Sequence, residues 1–177
     1  MALTLITGGA RSGKSALAVR LAASWGGPVT VIATAEPRDH EMRDKIARHR
    51  ADRPAEWTTV EEPLAIIEAL AAVPGGELAV LDCITLWVSN ALERGLGAGE
   101  VERRTVELAL ASAGRAAPVL IVTNEVGDGI VPADPGTRAW RNLMGIVNGI
   151  IAAEAERAYF VVAGRAIGLT NAKEVRL

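Results

Sequence analysis

Leu3-Thr4-Leu5-Ile6-Thr7 runs straight into Gly8-Gly9-Ala10-Arg11-Ser12-Gly13-Lys14-Ser15. The first five residues read as a buried strand, and the next eight match Gly-x-x-x-x-Gly-Lys-Ser, the phosphate-binding loop, in the strand–loop–helix setting that motif requires. Glycines at these positions let the backbone curl so that its N–H groups converge on phosphate oxygens. Lys14 offers a point charge to the β- and γ-phosphates, and the Ser15 hydroxyl is a natural Mg²⁺ ligand. A helix over about 14–24 aims the positive end of its dipole at the same anion. Gly8 to Ser15 are therefore the first candidate nucleotide-binding residues.

Four further apolar runs read as strands: 29–33, 78–82, 118–123 and 159–163. Unbroken Val/Ile/Leu of this length is the mark of a parallel sheet covered on both faces. Helical stretches alternate with them, at about 14–24, 40–51, 63–72, 100–114 and 137–156. In the last, Trp140, Leu143, Met144, Val147 and Ile151 recur at three- and four-residue spacing and predict the buried stripe. Segments 95–99 and 132–136 read as loops. The pattern specifies an α/β, P-loop NTPase-like fold, a mostly parallel central sheet with helices on both faces. One domain over 1–177 is expected, with a helical His/Arg segment at about 36–63 inserted after the second strand.

Composition narrows the function. Nineteen Lys and Arg against 21 Asp and Glu leave a net charge of −2, and aromatic residues make up 3%. Neither a basic surface nor a base-stacking platform is implied, so no nucleic-acid partner is expected. No apolar run is long enough to span a bilayer. A strand at residue 3 argues against a signal peptide, and the single cysteine, Cys83, suits a cytoplasmic location and reads as a small buried apolar residue.

In sheets of this kind ligands gather where strands end. Strand 78–82 ends on Asp82, a candidate Mg²⁺ carboxylate, for which a helix N-cap is the competing role. Strand 29–33 leaves into Thr34-Ala35-Glu36. Strand 118–123 leaves into a glycine-containing loop, Asn124 to Pro132, that reads equally as a site loop or a plain turn. Between 36 and 63 lie both histidines, His40 and His49, among Arg38, Arg43, Arg48, Arg50 and Arg53. Guanidinium groups clamp phosphate in fork geometry, and a neutral imidazole can attack phosphorus. On periodicity alone a second reading stands level. Met42, Ile46 and His49 fall at i, i+4, i+7, a stripe that packs inward, with the arginines on a solvated face.

The ordered set Gly8–Ser15, Ile32-Ala33-Thr34, Glu41-Met42, Ile46 to Arg50, Arg53-Pro54, Trp57, Asp82 to Thr85, and Thr123 to Gly127 with Gly129 to Pro132 resembles one family. It is the bifunctional adenosylcobinamide kinase / adenosylcobinamide-phosphate guanylyltransferase family of cobalamin biosynthesis, and the resemblance runs from residue 3 to about 164. It implies that His49, rather than His40, becomes guanylylated; Lys14, by its place in the phosphate-binding loop, is the second catalytic candidate. The phosphate-binding loop, Thr34, Ala35, Glu36, Arg50, Ala51, Asp52, Arg53, Glu61 or Glu62, and Asp82 would surround the guanine nucleotide, with Ser15 and Asp82 at Mg²⁺. GTP and ATP enter as co-substrates beside adenosylcobinamide and its phosphate. The family's homotrimeric assembly is carried over as an implication only. Two departures stand out: Arg48 occupies a position where many members have a first histidine, and residues 164–177 do not match the expected ending. Two other functions compete. A plain small-molecule kinase would leave His49 idle. A GTP-binding switch would need Asn-Lys-x-Asp and Asp-x-x-Gly elements, where this chain has Thr123-Asn124-Glu125-Val126 and Asp82-Cys83-Ile84-Thr85.

Overall fold

In the computed structural model, which describes residues 3–176, the apolar runs pair into one seven-stranded sheet. The chain runs β1 (Leu3–Gly8), α1 (Lys14–Ala23), β2 (Val29–Ala33), α2 (His40–Ala51), β3 (Thr58–Glu61), α3 (Ile66–Ala72), β4 (Leu78–Asp82), α4 (Ile84–Glu93), α5 (Ala98–Ala113), β5 (Val119–Val122), α6 (Pro135–Glu154), β6 (Arg157–Val162) and β7 (Arg165–Gly168), then a short 3₁₀ turn at Ala172–Glu174. Strand order is β3-β2-β4-β5-β1-β6-β7, parallel throughout except for the antiparallel β6–β7 edge. β1 lies between β5 and β6, so its C-terminal end opens near the middle of the sheet.

Alternation along the strands divides the core in two. Leu3, Leu5, Ile32, Ala79, Leu81, Val119 and Ile121 face the side covered by α3, α4, α5 and α6. Ile6, Val29, Val31, Leu78, Val80, Leu120 and Val122 face the side where α1 packs through Leu17, Ala18 and Ala22. Both faces of β1, β2, β4 and β5 are buried, as their unbroken apolar runs require. β6, expected to be buried likewise, is not: only Val161 along it is buried, because the short exposed edge strand β7 is all that lies beyond it. Each buried core side chain adds about 1.5–3 kcal/mol of burial relative to exposure. The α6 stripe is as predicted: Leu143, Met144, Val147 and Ile151 are buried and Trp140 packs against them.

Three elements go beyond the sequence expectations: β3, β7 and α4. β3 (Thr-Thr-Val-Glu) and β7 (Arg-Ala-Ile-Gly) are exposed edge strands that lack a central strand's continuous apolar signature. α4 begins two residues after Asp82 with Ile-Thr-Leu-Trp-Val, a β-branched and aromatic run that carries no helix signal of its own. Boundaries shift elsewhere: α3 starts at Ile66 rather than 63, and α5 and α6 start inside the two stretches read as loops. At α6, Asp134 accepts the Thr137 N–H and Pro135 fills the first turn, where its missing donor costs nothing. Of the segment 164–177, whose last residue lies outside the described residues, β7 pairs with β6 and the turn between them reaches the phosphate-binding loop.

Candidate active site

The loop after β1 is held by its neighbours rather than by its own side chains. Gly8 sits at φ +151°, and a Cβ there would lie 2.2 Å from the Val161 carbonyl oxygen. Gly13, at φ +105°, would place a Cβ 3.2 Å from the Cα of Gly164, whose N–H donates to the Ser12 carbonyl at 2.9 Å. Backbone approach this close admits only glycine. Gly13 is also the N-cap of α1 and supplies no side-chain acceptor, so the N–H groups of that first turn are not consumed by a cap. Ala10 and Arg11 are exposed at the loop's tip, Gly9 is half-buried and Ser12 buried.

Lys14 is buried, 7% exposed, and its ammonium folds back to donate to the Gly9 carbonyl at 2.5 Å and, more weakly, to Ser12 Oγ at 3.4 Å. Burial pulls its pKa below the ordinary lysine value, an effect the nearby Asp82 carboxylate opposes. Ser15 follows on the same helical turn, half-buried. The β5 exit abuts this loop, since the Glu125 N–H donates to the Gly8 carbonyl at 3.0 Å.

Asp82 is the meeting point of the predicted residues. It is not a helix cap; Cys83 stands at the N-cap of α4 and makes no side-chain capping bond. The Asp82 carboxylate instead faces His49 Nδ1 at 3.8 Å and Arg53 Nη2 at 3.7 Å. Arg53 is the more enclosed partner, its side chain 9% exposed, and burial lowers its pKa while Asp82 opposes the shift. The Cys83 thiol is desolvated and pushed up to about 11, which keeps it neutral and unreactive as a nucleophile. Thr34, wholly buried, clamps this corner: its N–H donates to the Asp82 carbonyl, its hydroxyl donates to the Cys83 carbonyl at 2.7 Å, and the Cys83 N–H returns a bond to that hydroxyl at 2.9 Å.

α2 carries His49 in a different manner. No residue of this helix is buried; Met42, Ile46 and His49 are its half-buried positions and the rest are exposed. The predicted stripe therefore exists, and it ends on a histidine that looks toward Asp82. His40, on the outer face, is 83% exposed and pairs with Asp44 at 3.1 Å, one turn on. Arg50 pairs with Glu61 at 3.2 Å, whereas Ala51 and Asp52 close the helix on its exposed side. Glu62 is committed elsewhere: its carboxylate accepts the N–H groups of Leu64 and Ala65 ahead of α3. Of the two adjacent glutamates, Glu61 is the one left at the site. Ala35 and Glu36 continue the β2 exit, and Glu36 bonds to Arg94 at 2.6 Å and to Arg38 at 2.7 Å. Those two guanidinium groups, Arg94 first, hold the Glu36 carboxyl down at about 2.

α4, unforeseen in the sequence, bonds to the segments that leave β2, β3 and β5. Thr85 Oγ1 accepts the Asn124 N–H at 2.9 Å, Trp87 Nε1 donates to the Leu64 carbonyl at 3.0 Å, and Asn90 Nδ2 donates to the carbonyls of Thr34 at 2.9 Å and Pro63 at 3.1 Å. From α6, Asn148 accepts from Thr123 Oγ1 and donates to the Asn124 carbonyl, fixing the β5 exit from the other side.

A phosphate-binding loop, an acidic strand end and a histidine turned toward that carboxylate thus lie at one end of the sheet. The family model for cobinamide kinase / cobinamide phosphate guanyltransferase fits residues 4–169. The chain belongs to this family. It is 43% identical to the bifunctional adenosylcobalamin biosynthesis protein CobP of Pseudomonas aeruginosa, over 90% of this chain and 92% of that protein. It is 35% identical to the bifunctional adenosylcobalamin biosynthesis protein CobU of Escherichia coli, covering 92% and 96% respectively. Among solved structures the enzyme resembles an ATPase of a type III secretion system (TM-score 0.57, 11% identity, 97% of this chain and 59% of that one). It also resembles RadB recombinase (TM-score 0.53, 18% identity, 90% and 73%). At such identities the likeness is one of fold, and it places the chain among α/β P-loop proteins.

Proposed function

We propose that this enzyme phosphorylates adenosylcobinamide with ATP or GTP and then transfers GMP from GTP, through a covalent bond to His49, to adenosylcobinamide phosphate. The observation that carries the second half is the convergence of His49 and Arg53 on Asp82 at the end of β4. A plain kinase has no use for a histidine held there.

In the first reaction the phosphate-binding loop holds the nucleotide, and the γ-phosphoryl group passes to the hydroxyl of the substrate's aminopropanol arm, leaving a nucleoside diphosphate. Lys14 already points its ammonium into the loop, at the Gly9 carbonyl, and a bound phosphate would offer that ammonium a charged acceptor instead. Ser15 and Asp82 are the residues that would hold Mg²⁺. One hydroxyl and one carboxylate fit a metal that keeps several waters and binds substrate phosphates, and no cluster of three or more His, Cys, Asp or Glu side chains suited to a metal occurs among the described residues. The ion would supply neutralisation of charge on the phosphoryl oxygens.

In the second reaction Nδ1 of His49 faces Asp82, so Nε2 is the nitrogen presented to the α-phosphorus. Nε2 forms a bond to phosphorus as the bond to the pyrophosphate oxygen breaks. The positive charge gained by the ring is then stabilised by the Asp82 carboxylate, as a carboxylate stabilises imidazolium in hydrolytic triads. An oxygen of adenosylcobinamide phosphate next attacks the same phosphorus and the N–P bond breaks, restoring the imidazole. Arg50, Arg53 and Lys14 supply positive charge around the phosphates. Thr34, Ala35, Glu36 and Glu61 line the side from which a guanine base would be read. A homo-oligomer, a trimer as the family resemblance implies, and a cytoplasmic location complete the proposal. No helix among the described residues is long and apolar enough to cross a membrane.

The test is a His49→Ala variant incubated with α-labelled GTP and then denatured. Wild type retains acid-labile label at His49 by mass spectrometry. The variant retains none yet still phosphorylates adenosylcobinamide; undiminished labelling in it overturns the assignment, and an unlabelled wild type favours the plain kinase.

A further inference from the structure

α2 presents His49 without burying any residue of its own, so something outside the helix must fix where it begins. Its return is secured by Arg53 on Asp82 and by Trp57, which packs against the core. Its entry, residues 34–39, is secured at Thr34 by the Asp82–Cys83 backbone and beyond it from one face of α4. Asn90 is buried, 3% exposed, and all of its polar capacity on this side is used. Its amide donates to the Thr34 carbonyl at 2.9 Å and the Pro63 carbonyl at 3.1 Å, while its Oδ1 accepts from Arg38 Nη2 at 2.7 Å. Three and four residues on, one turn along the helix, Glu93 pairs with Arg38 and Arg94 holds Glu36 with two bonds, of 2.6 and 3.1 Å. Positions 90, 93 and 94 share a helix face by their spacing.

From this we infer that Asn90, assisted by Arg94, is a positioning residue for guanylyl transfer: it fixes the path from β2 into α2 and thereby the placement of His49. The inference rests on the reading of His49 as the nucleophile. None of the bonds of Asn90 reaches Gly8–Ser15, so its loss acts on the histidine arm rather than on the phosphate cradle. Support of this kind around a reacting group is commonly worth about 10- to 100-fold in activity.

Asn90→Asp nearly preserves the shape of the side chain but replaces both donations with carboxylate oxygens facing carbonyls. Two rates are compared in each protein: incorporation of label from α-labelled GTP in a single turnover, and phosphorylation of adenosylcobinamide. Asn90→Asp is expected to slow labelling about tenfold and phosphorylation less than about twofold. Arg94→Ala, at an exposed position that folds readily, is expected to slow labelling about threefold with the same selectivity. If Asn90→Asp does not fold, Arg94→Ala carries the test alone. Wild-type labelling in these variants, or an equal fall in both rates, overturns the inference. The outcome is read beside His49→Ala: if that variant still labels, the nucleophile is misassigned, whereas a silent His49→Ala beside a fully active Asn90→Asp refutes the role of Asn90 alone.

Discussion

The phosphate-binding loop and the histidine helix lie at the same end of the sheet but are built on opposite terms. The loop is sunk into the core: Gly8 and Gly13 lie against the backbone of β6 and of the β6–β7 turn, Lys14 is buried, and the flanking strand pairs on both sides. The helix rests outside, without one buried residue, and is placed by polar contacts made at its ends. Phosphate recognition is common to both proposed reactions, whereas the histidine serves only one. Rigid packing suits the shared step, and a lightly attached arm can carry the step that needs a group to approach and withdraw.

Substitutions can break this contrast or sharpen it. The largest effect is expected from Lys14→Ala, which removes the one buried ammonium of the cradle and should lower both phosphorylation and labelling about 10²- to 10³-fold. If only one rate falls, the two reactions do not share the loop. Gly8→Ala forces a Cβ against the Val161 carbonyl and should cost about 3 kcal/mol, or a Tm lower by about 10 °C. Thermal unfolding near the wild-type temperature would show that the loop yields more than its packing implies. On the arm, Arg53→Met leaves Asp82 without its enclosed partner and should slow labelling about tenfold, with phosphorylation little changed. Equal slowing of both rates would place Arg53 in the cradle instead.

The smallest effect is expected at Glu36. Its folded pKa, about 2, lies below the unfolded carboxylate value, so its pairing with Arg94 and Arg38 stabilises the fold above that unfolded value. The contribution is lost as pH falls toward 2. Glu36→Gln should therefore lower Tm by about 1–2 °C at pH 7, by the same amount at pH 6, and by progressively less below about pH 4.5. A penalty that grows on acidification would mean that the pairs are not formed.

How much of this was legible in the sequence follows from what each part is made of. The four buried strands β1, β2, β4 and β5 and the phosphate-binding loop announce themselves, because a core strand must be apolar on both faces and the loop must be glycine and lysine at fixed spacing. β6 has the same apolar run but lies next to the sheet edge with only Val161 buried. β3 hides because an edge strand with Glu61 at its end has no apolar run to show. α4 hides because Ile84 to Val88, buried between sheet and helices, resembles a strand and lacks a capping residue. With α4 unread, Asn90, Thr85 and Trp87 could not be seen as supports of the site. His49 and Asp82 were each visible, but they lie 33 positions apart and their approach belongs to the folded chain. Periodicity allowed either a packed stripe or a reactive histidine on α2, and the structure makes them one surface: the half-buried stripe ends at the histidine.

The position of β1 in the sheet bears on how the protein is made. Its neighbours are β5, which starts at residue 119, and β6, which starts at residue 157, and the turn that braces Ser12 lies at residue 164. The phosphate-binding loop is therefore synthesised well before the strands that shape it. The cradle gains its walls only when segments far along the chain fold back against β1, so its shape is a product of long-range closure rather than of the motif alone.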